Sequence, residues 1–264
     1  MARRLRTGPE ILAQVGELVV QRDAGRPSGR LLRQGDMDAS YVDLADPRHL
    51  EFDYLRRMRD VVEAVGAQRV VHVGGAGCSL ARALAAADPD VRQQVVEVDP
   101  EVLHVARAHL GLRRAPGLRV REGDGRAFLA GRADASADAI LIDAFVGARV
   151  PRHLLTAEAL GDAARVLAPG GALAVNVVDA PPMDDVRAIA AGLVATFATA
   201  VAVGGGPVVR GRRAGNVVLV ASHGTLPLER LRSRAAADPS PAGVLAPGEL
   251  AALAAGTPPW RDAG

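Results

Sequence analysis

The sequence predicts an α/β protein with a mostly parallel sheet that helices cover on both faces. From residue 69 onward, short apolar runs alternate with segments of helical periodicity, and the runs are apolar nearly throughout, as in strands buried on both sides. The run 69–73 leads into Gly74, Gly75 and Gly77, and the next apolar run ends at Glu97. This order of strand, glycine turn, helix, strand and acid is typical of a nucleotide-binding β-α-β unit.

The residues before this unit predict a small N-terminal element. Residues 7–10 are typical of a helix start, and apolar residues then recur at helical spacing over 11–19, which predicts a short amphipathic helix. The polar segment 22–29 contains two glycines and a proline and is predicted to be a loop. A strand is expected at 30–33, and a helix over 50–65 leads into the sheet.

Seven strands are predicted for the sheet. They lie at 69–73, 93–98, 118–121, 139–142, 172–178, 198–203 and 216–221, and the helices between them at 79–87, 100–110, 156–167 and 183–196, with a short helical turn after Gly125. Only turn residues separate the last two strands, so we expect them to pair as an antiparallel hairpin at the sheet edge. The Ala-, Pro- and Gly-rich residues from 233 onward predict a loosely packed tail with one short helix near 248–255.

The composition excludes several classes of chemistry. The chain carries 32 basic and 30 acidic side chains, a net charge of +2, and this balance argues against a nucleic-acid partner. Every basic residue is Arg, so a P-loop lysine and a pyridoxal phosphate Schiff base are excluded. The single cysteine, Cys78, excludes an intramolecular disulfide and a multi-cysteine zinc site. No His has a partner at metal-ligand spacing, so no metal is expected.

No segment has the features of a membrane span or a secretory leader. The longest uncharged stretch, 188–209, is interrupted by glycines and by Pro207, and it is predicted to be a buried helix that runs into a buried strand. The N-terminus has charged residues but no continuous apolar segment of secretory length. We therefore expect a cytoplasmic protein without a membrane partner.

Acidic residues follow several predicted strands, where ligands of parallel sheets bind. Glu97 and Asp99 follow the second strand, Asp124 the third and Asp143 the fourth. A carboxylate at Glu97 can accept hydrogen bonds from both ribose hydroxyls. Asp124 can accept from an adenine amino group, and its neighbour Gly125 lets the ring lie close. Alternatively, Asp124 only caps a turn.

These acids favour an S-adenosyl ligand over a dinucleotide. Dinucleotide-binding turns carry a third glycine, and Leu80 stands at that position here. An NAD-dependent oxidoreductase is therefore the least favoured of the candidate functions.

The same segments resemble the spermidine synthases and their relatives over about residues 30–225. The resemblance rests on the motifs Val-Gly-Gly-Ala-Gly (73–77), Val-Glu-Val-Asp-Pro (96–100), Glu-Gly-Asp-Gly-Arg-Ala-Phe-Leu (122–129), Ile-Leu-Ile-Asp (140–143), Leu-Leu-Thr-Ala-Glu (154–158) and Leu-Ala-Pro-Gly-Gly (167–171). It implies a class I S-adenosylmethionine-dependent methyltransferase fold behind a small N-terminal β element. It also implies aminopropyl transfer from decarboxylated S-adenosylmethionine to a diamine. By position, Glu97 would hold the ribose, Asp124 the adenine, and Asp143 would lie beside the transferred group as the catalytic residue.

Three positions depart from the spermidine synthase pattern. Ala76 replaces the aspartate that binds the amino end of the decarboxylated cofactor, Val146 replaces the second acid of the catalytic run, and Gly-Asp-Met-Asp (35–38) replaces Gly-x-x-Gln. A lone Asp143 neutralises and deprotonates a diamine less well than paired carboxylates. Methyl transfer needs only one base beside an activated sulfonium. The sequence thus favours an S-adenosyl-dependent methyltransferase, with an aminopropyltransferase and a non-catalytic S-adenosyl-binding module as alternatives.

The predicted organisation has three parts. Residues 1–55 form the small N-terminal helix/β element, 56–225 the Rossmann-like S-adenosyl-binding domain, and 226–264 the tail. The expected ligands are S-adenosylmethionine or its decarboxylated form and a small-molecule acceptor. Association of two copies through the N-terminal elements is implied by the resemblance. His153 and Tyr54 are further candidates for contact with the acceptor, with packing as the alternative.

Overall fold

The computed structural model describes residues 9–112, 117–147 and 149–263, and its N-terminal part is a four-stranded antiparallel sheet. The strands are β1 Ile11–Val15, β2 Leu18–Arg22, β3 Gly29–Gln34 and β4 Met37–Asp43, in that spatial order. The predicted strand at 30–33 is confirmed.

The amphipathic helix predicted over 11–19 is wrong. A two-residue turn at Gly16 and Glu17 joins β1 to β2, and Val15 pairs with Leu18. The apolar residues fit strand alternation as well as helical spacing, and Leu18 and Val20 point into the core. The first part of the predicted helix start, residues 7–8, lies outside the described residues. Association of two copies through the N-terminal elements stays a prediction, and these elements contain a β-hairpin where a helix was expected.

Helix α1 (Asp53–Val65) connects this sheet to a second one of eight strands. The further strands are β5 Arg69–Gly74, β6 Arg92–Glu97, β7 Leu118–Glu122, β8 Ala137–Asp143, β9 Leu167–Asp179, β10 Thr199–Gly205, β11 Gly215–Ser222 and β12 Ala242–Leu245. The further helices are α2 Ser79–Ala87, α3 Pro100–His109, α4 Gly125–Ala130, α5 Ala157–Val166, α6 Asp184–Thr196, α7 Gly206–Val209, α8 Leu228–Ala237 and α9 Pro247–Ala254.

The second sheet has the spatial order β12-β10-β11-β9-β8-β5-β6-β7. The five strands β7, β6, β5, β8 and β9 are parallel neighbours. Strand β11 runs antiparallel to β9, and β10 runs antiparallel to β11, so the predicted antiparallel pairing is confirmed. Its predicted place at the sheet edge is wrong, because β12 pairs with β10 and forms that edge. The predicted α/β fold with a mostly parallel sheet is therefore confirmed.

The central strands are buried on both faces, as their composition predicts. Along β8, Ile140 and Ile142 belong to one hydrophobic cluster, and Ala139 and Leu141 belong to the cluster on the other face. The uncharged stretch 188–209 lies in α6 and β10, which confirms the predicted buried helix and strand. Among the residues described, none of the helices combines the length and apolarity needed to cross a bilayer.

The C-terminal residues are packed more tightly than predicted. Strand β12 pairs with β10 and is the eighth strand of a sheet for which seven were expected. Helix α9 confirms the predicted short helix, and its Leu250 and Ala254, four residues apart, are buried in the core. The expectation of a loose tail is therefore wrong. Residues four apart lie on the same face of a helix, so even an Ala-rich helix can present an apolar face to the core.

Candidate active site

A cavity of about 1070 Å³ opens at the carboxyl ends of the parallel strands. The N-terminal sheet and the start of α1 form its other walls, through residues such as Met37 and Tyr54. Most of the predicted site residues line it, namely Gly74, Gly75, Glu97, Asp99, Asp124, Gly125 and Asp143. Gly77 does not line this cavity and instead packs against Ser40 of β4.

The glycine turn brings the ends of β5 and β8 together. Gly74 has a φ of 78°, and a Cβ atom there would lie 2.5 Å from the backbone oxygen of Asp143. A side chain at this position would therefore be excluded both by the backbone conformation and by the neighbouring strand. The turn continues into Ala76, whose amide donates to the carboxylate of Glu97.

Glu97 ends β6 as a buried carboxylate at the cavity wall. Burial raises the pKa of Glu97. Hydrogen bonds from backbone amides oppose this shift, among them the amide of Asp99, whose nitrogen lies 3.1 Å from Oε1 of Glu97. Asp99 itself caps α3, because its Oδ1 accepts from the amides of Glu101 at 2.8 Å and Val102 at 3.3 Å. Glu97 thus presents a fixed acceptor to the cavity, whereas the Asp99 side chain has a structural partner.

Asp124 has partners for both carboxylate oxygens. Its Oδ1 caps α4 by accepting from the amide of Ala127 at 2.8 Å, and its Oδ2 lies 2.8 Å from Nε2 of His153. Burial alone would raise the pKa of Asp124, but these hydrogen bonds lower it below its ordinary value. The sequence analysis treated capping as an alternative to ligand contact, yet the same side chain caps the helix and faces the cavity. His153 lines the cavity too, at Asp124.

Gly125 lines the cavity beside Asp124. A Cβ atom at residue 125 would lie 2.2 Å from Cγ1 of Val73, so the helix start packs directly against β5. A side chain at residue 125 is therefore excluded by the packing of the helix start against Val73.

Asp143 is a half-buried carboxyl at the end of β8. Its Oδ1 accepts from Nδ2 of Asn176 at 2.9 Å, and the hydroxyl of Tyr54 also donates to this side chain. Burial raises the pKa of Asp143 to about 6 in spite of these two donors. Burial and the nearby carboxyl likewise raise the pKa of Tyr54 well above its ordinary value.

Asn176 is a residue whose role the sequence analysis did not identify. Its amide nitrogen donates to Asp143. The Oδ1 atom of Asn176 is buried and has no hydrogen-bond partner among the residues that the structure describes. Asn176 lines the cavity, and its buried Oδ1 is an unsatisfied hydrogen-bond acceptor in the cavity wall. A single Asn within the apolar run 172–178 was the available signal.

The cavity is strongly acidic. Eight lining carboxyl groups belong to Glu17, Asp38, Glu51, Asp53, Glu97, Asp99, Asp124 and Asp143. The basic lining residues within the described ranges are Arg56 and His153, and Arg56 is paired with Asp238 at 2.8 Å. A cavity with this balance attracts cations.

Neither a metal cluster nor a reactive thiol is found in the described part of the chain. That part contains no group of three or more His, Cys, Asp or Glu side chains placed to hold a metal ion. Cys78 is buried, and burial raises the pKa of its thiol to about 12. The thiol is therefore protonated at neutral pH and has a packing role.

Comparison with known proteins supports the resemblance seen in the motifs. No family model matches the chain. The chain is 31% identical over 148 residues to the polyamine aminopropyltransferase of Vibrio vulnificus, a match of 55% of this chain and 49% of that protein. The chain thus spans about half the length of the curated relative it matches.

Two solved structures extend the comparison. A probable spermidine synthase from Corynebacterium glutamicum superposes with a TM-score of 0.86 over 96% of both chains, at 26% identity. Human methyltransferase-like protein 13 in complex with SAH shares the fold, with a TM-score of 0.54 and 19% identity over 79% of this chain and 93% of that one. The resemblance to spermidine synthase-like proteins and the methyltransferase-like fold are confirmed.

Proposed function

We propose that this protein transfers the aminopropyl group of decarboxylated S-adenosylmethionine to a small amine. The names of its relatives, polyamine aminopropyltransferase and probable spermidine synthase, support this reaction. They favour it over the methyl transfer that the sequence analysis preferred. The transferase class and the S-adenosyl type of ligand are common to both reactions.

The observation that carries the proposal is the environment of Asp143. An amine attacks as the free base, so the site must accept a proton as the new bond forms. Asp143 is ionised at neutral pH, because its pKa of about 6 lies below 7, and it lies at the cavity wall. The amide nitrogen of Asn176 donates to Oδ1 of Asp143 at 2.9 Å and so fixes the orientation of this proton acceptor.

The proposed reaction needs no covalent intermediate with the protein. The amine nitrogen attacks the methylene carbon next to the sulfonium, and the carbon–sulfur bond breaks with its electrons going to sulfur. Methylthioadenosine leaves, and the extra proton on nitrogen passes to Asp143. The protein contributes the alignment of the reacting atoms, which supplies much of the rate acceleration in such reactions.

The residues at the strand ends fit an adenosyl group. Glu97 offers a buried acceptor for the ribose hydroxyls, and Asp124 can accept a hydrogen bond from the amino group of an adenine that lies beside Gly125. The acidic lining suits a cofactor that carries a sulfonium and an ammonium group, although Ala76 supplies no carboxylate. The same negative charge suits a protonated amine waiting to react.

The two possible reactions release different products from the same site. The purified protein is incubated with a diamine and either decarboxylated S-adenosylmethionine or S-adenosylmethionine, and the nucleoside products are separated by chromatography. We expect methylthioadenosine and an aminopropylated amine from the decarboxylated cofactor. Release of S-adenosylhomocysteine with a methylated amine, and no methylthioadenosine, would overturn the proposal.

The Asp143→Asn variant is the matched control for this assay. It should lose turnover while it binds methylthioadenosine with unchanged affinity in calorimetry, because the substituted group acts on the acceptor. Full activity in this variant would show that Asp143 is not the proton acceptor.

Methyl transfer is the second candidate, and two positions favour it. Ala76 and Val146 both line the cavity without a charge, where the spermidine synthase pattern has acids. Because valine is uncharged, Val146 cannot form an ion pair with the second ammonium group of a diamine. The S-adenosylmethionine arm of the assay tests this alternative directly.

A further inference from the structure

We propose that a cleft lined by arginines at the amino ends of β5, β6 and β7 binds a small molecule with a triphosphate group. This arginine cleft is a cavity of about 950 Å³ lined by Arg69, Arg92, Arg119 and Arg132, with Ser136 on its wall. It lies at the end of the strands opposite to the candidate active site, since Arg69 and Arg92 begin their strands. The inference is therefore independent of the proposed transferase reaction.

The cleft exists because one crossover of the fold is short. The chain returns from β7 to β8 through α4, which has only six residues. A helix of this length spans about 9 Å and leaves the first residues of the edge strands uncovered. Gln94 of β6 and Arg119 of β7 are paired in this uncovered part of the sheet, and both line the cleft.

The positive charge of the cleft is not balanced within the protein. Arg69 is paired with Asp138 at 2.6 Å. The guanidinium groups of Arg92, Arg119 and Arg132 have no carboxylate within ion-pair distance in the described ranges, and Asp90 is the acidic residue of the lining there. Three arginines against one aspartate leave a local excess of about two positive charges.

Arg132 shows the effect of this excess most clearly. One of its terminal nitrogens donates to Oε1 of Gln94 at 3.1 Å, and the guanidinium lies 5.3 Å from the ring centre of Phe128. Burial, together with the charges of Arg121 and Arg69, lowers the pKa of Arg132. An anion in the cleft would relieve this repulsion.

Two buried polar atoms in the cleft also lack partners. Nε of Arg132 and Oγ of Ser136 are buried and have no hydrogen-bond partner among the described residues. Buried polar atoms are nearly always hydrogen-bonded, so two unsatisfied donors in residues of one cavity wall indicate that an acceptor is absent there. Both atoms can donate, as an anionic oxygen requires.

The chemistry of the cleft selects phosphate groups. A guanidinium group presents two parallel N–H donors that match two phosphate oxygens. A triphosphate carries several negative charges at neutral pH, so it can balance the charge of more than one arginine, whereas a carboxylate carries a single negative charge. The volume accommodates inorganic tripolyphosphate or a nucleoside triphosphate, which share this chemistry.

An alternative explanation concerns the edge of the sheet. Strand β7 is an edge strand, and charged side chains on such strands prevent pairing with other chains. This explanation predicts no ligand and accounts for Arg119, but it does not account for the buried, unpartnered atoms of Arg132 and Ser136.

The test is calorimetric titration of the full chain with tripolyphosphate and, separately, with ATP at low ionic strength. Saturating methylthioadenosine is present throughout, so that ATP does not enter the candidate active site. We expect binding that weakens as salt is added. Equal affinity for the two ligands identifies the phosphate chain alone as the ligand, and tighter binding of ATP adds its nucleoside. Both outcomes support the proposal.

Exposed arginines provide variants that should fold normally. Arg92→Gln and Arg119→Gln should each weaken tripolyphosphate binding about tenfold, as expected for loss of a charge-assisted hydrogen bond. Arg213→Gln, an exposed arginine outside the cleft, is the matched control and should bind as the unmodified protein does. Absence of binding, or an equal loss in the Arg213 variant, would overturn the proposal. A tighter complex with a single-stranded oligonucleotide would overturn it as well.

Discussion

Asp143 is ionised inside the protein at a free-energy cost, and this cost can be measured. Burial raises the pKa of this carboxyl from 3.8 to about 6, despite the donors Asn176 and Tyr54. A raised pKa means that the folded state holds the proton more tightly than the unfolded chain does. The cost is therefore absent below about pH 4, grows as the pH rises, and is complete above about pH 6.

Replacing Asp143 by asparagine removes the charge and with it the cost. At about 1.4 kcal/mol per pKa unit, the cost is about 3 kcal/mol at pH 8 and about 1.6 kcal/mol at pH 5. We expect the Asp143→Asn variant to be more stable than the unmodified protein by these amounts. The new amide has the size of the carboxyl and can donate to the unpartnered Oδ1 of Asn176.

Urea unfolding of the ligand-free protein at the two pH values measures both free energies. The stability gain should be larger at pH 8 by about 1.4 kcal/mol. Asp138→Asn is the control with the opposite sign. Burial alone would raise the pKa of Asp138, but hydrogen bonds from Arg69 and Gln68 lower it, so this variant should be less stable. A gain for Asp143→Asn that does not change with pH would refute the assignment of a buried, charged carboxyl.

Three further predictions concern the same cavity. Turnover should rise with pH through about 6, because the proton acceptor Asp143 must be ionised, and a steady-state rate profile that stays flat between pH 5 and 7 would contradict its role. Asp124→Ala should weaken methylthioadenosine binding about tenfold in calorimetry, and unchanged affinity in this variant would contradict the role of Asp124 in adenine binding. His153→Gln should keep or increase the affinity, because removal of the imidazole frees a carboxylate oxygen of Asp124. Gly125→Ala should lower the free energy of unfolding by about 1–3 kcal/mol, because its Cβ would overlap Val73, and a neutral result in urea unfolding would show that the helix start shifts freely.

Most elements between residues 69 and 222 could be predicted from periodicity alone. Helix α2 occupies the predicted residues 79–87, and β5 extends its predicted strand by one residue. These elements are long, strongly apolar and bounded by glycine or polar residues, so local pattern and tertiary packing agree. The hairpin at 11–22 and strand β12 were not found. The apolar residues of the first segment fit a helix as well as a strand, and β12 has only four residues, so pairing with a neighbouring strand decides the structure in both.

The meeting of Glu97, Asp124 and Asp143 at one cavity was predictable, because the carboxyl ends of parallel strands lie at the same edge of a sheet. The contacts of these side chains were not. His153 reaches Asp124 from 29 residues away, and Asn176 reaches Asp143 from 33 residues away. No local pattern encodes such distances, since they depend on how separate loops pack.

The sequence by itself thus determined the α/β sheet, the glycine turn and the acids at the strand ends. These features depend on spacing along the chain and on the fixed geometry of a strand followed by a helix. Only the tertiary structure decided that Asp143 is half-buried with a raised pKa and that Asn176 keeps an unpartnered oxygen. It also decided that arginines from separate strands and loops face one cleft. Burial and charge balance are properties of the space between elements, and that space forms only when the chain has folded.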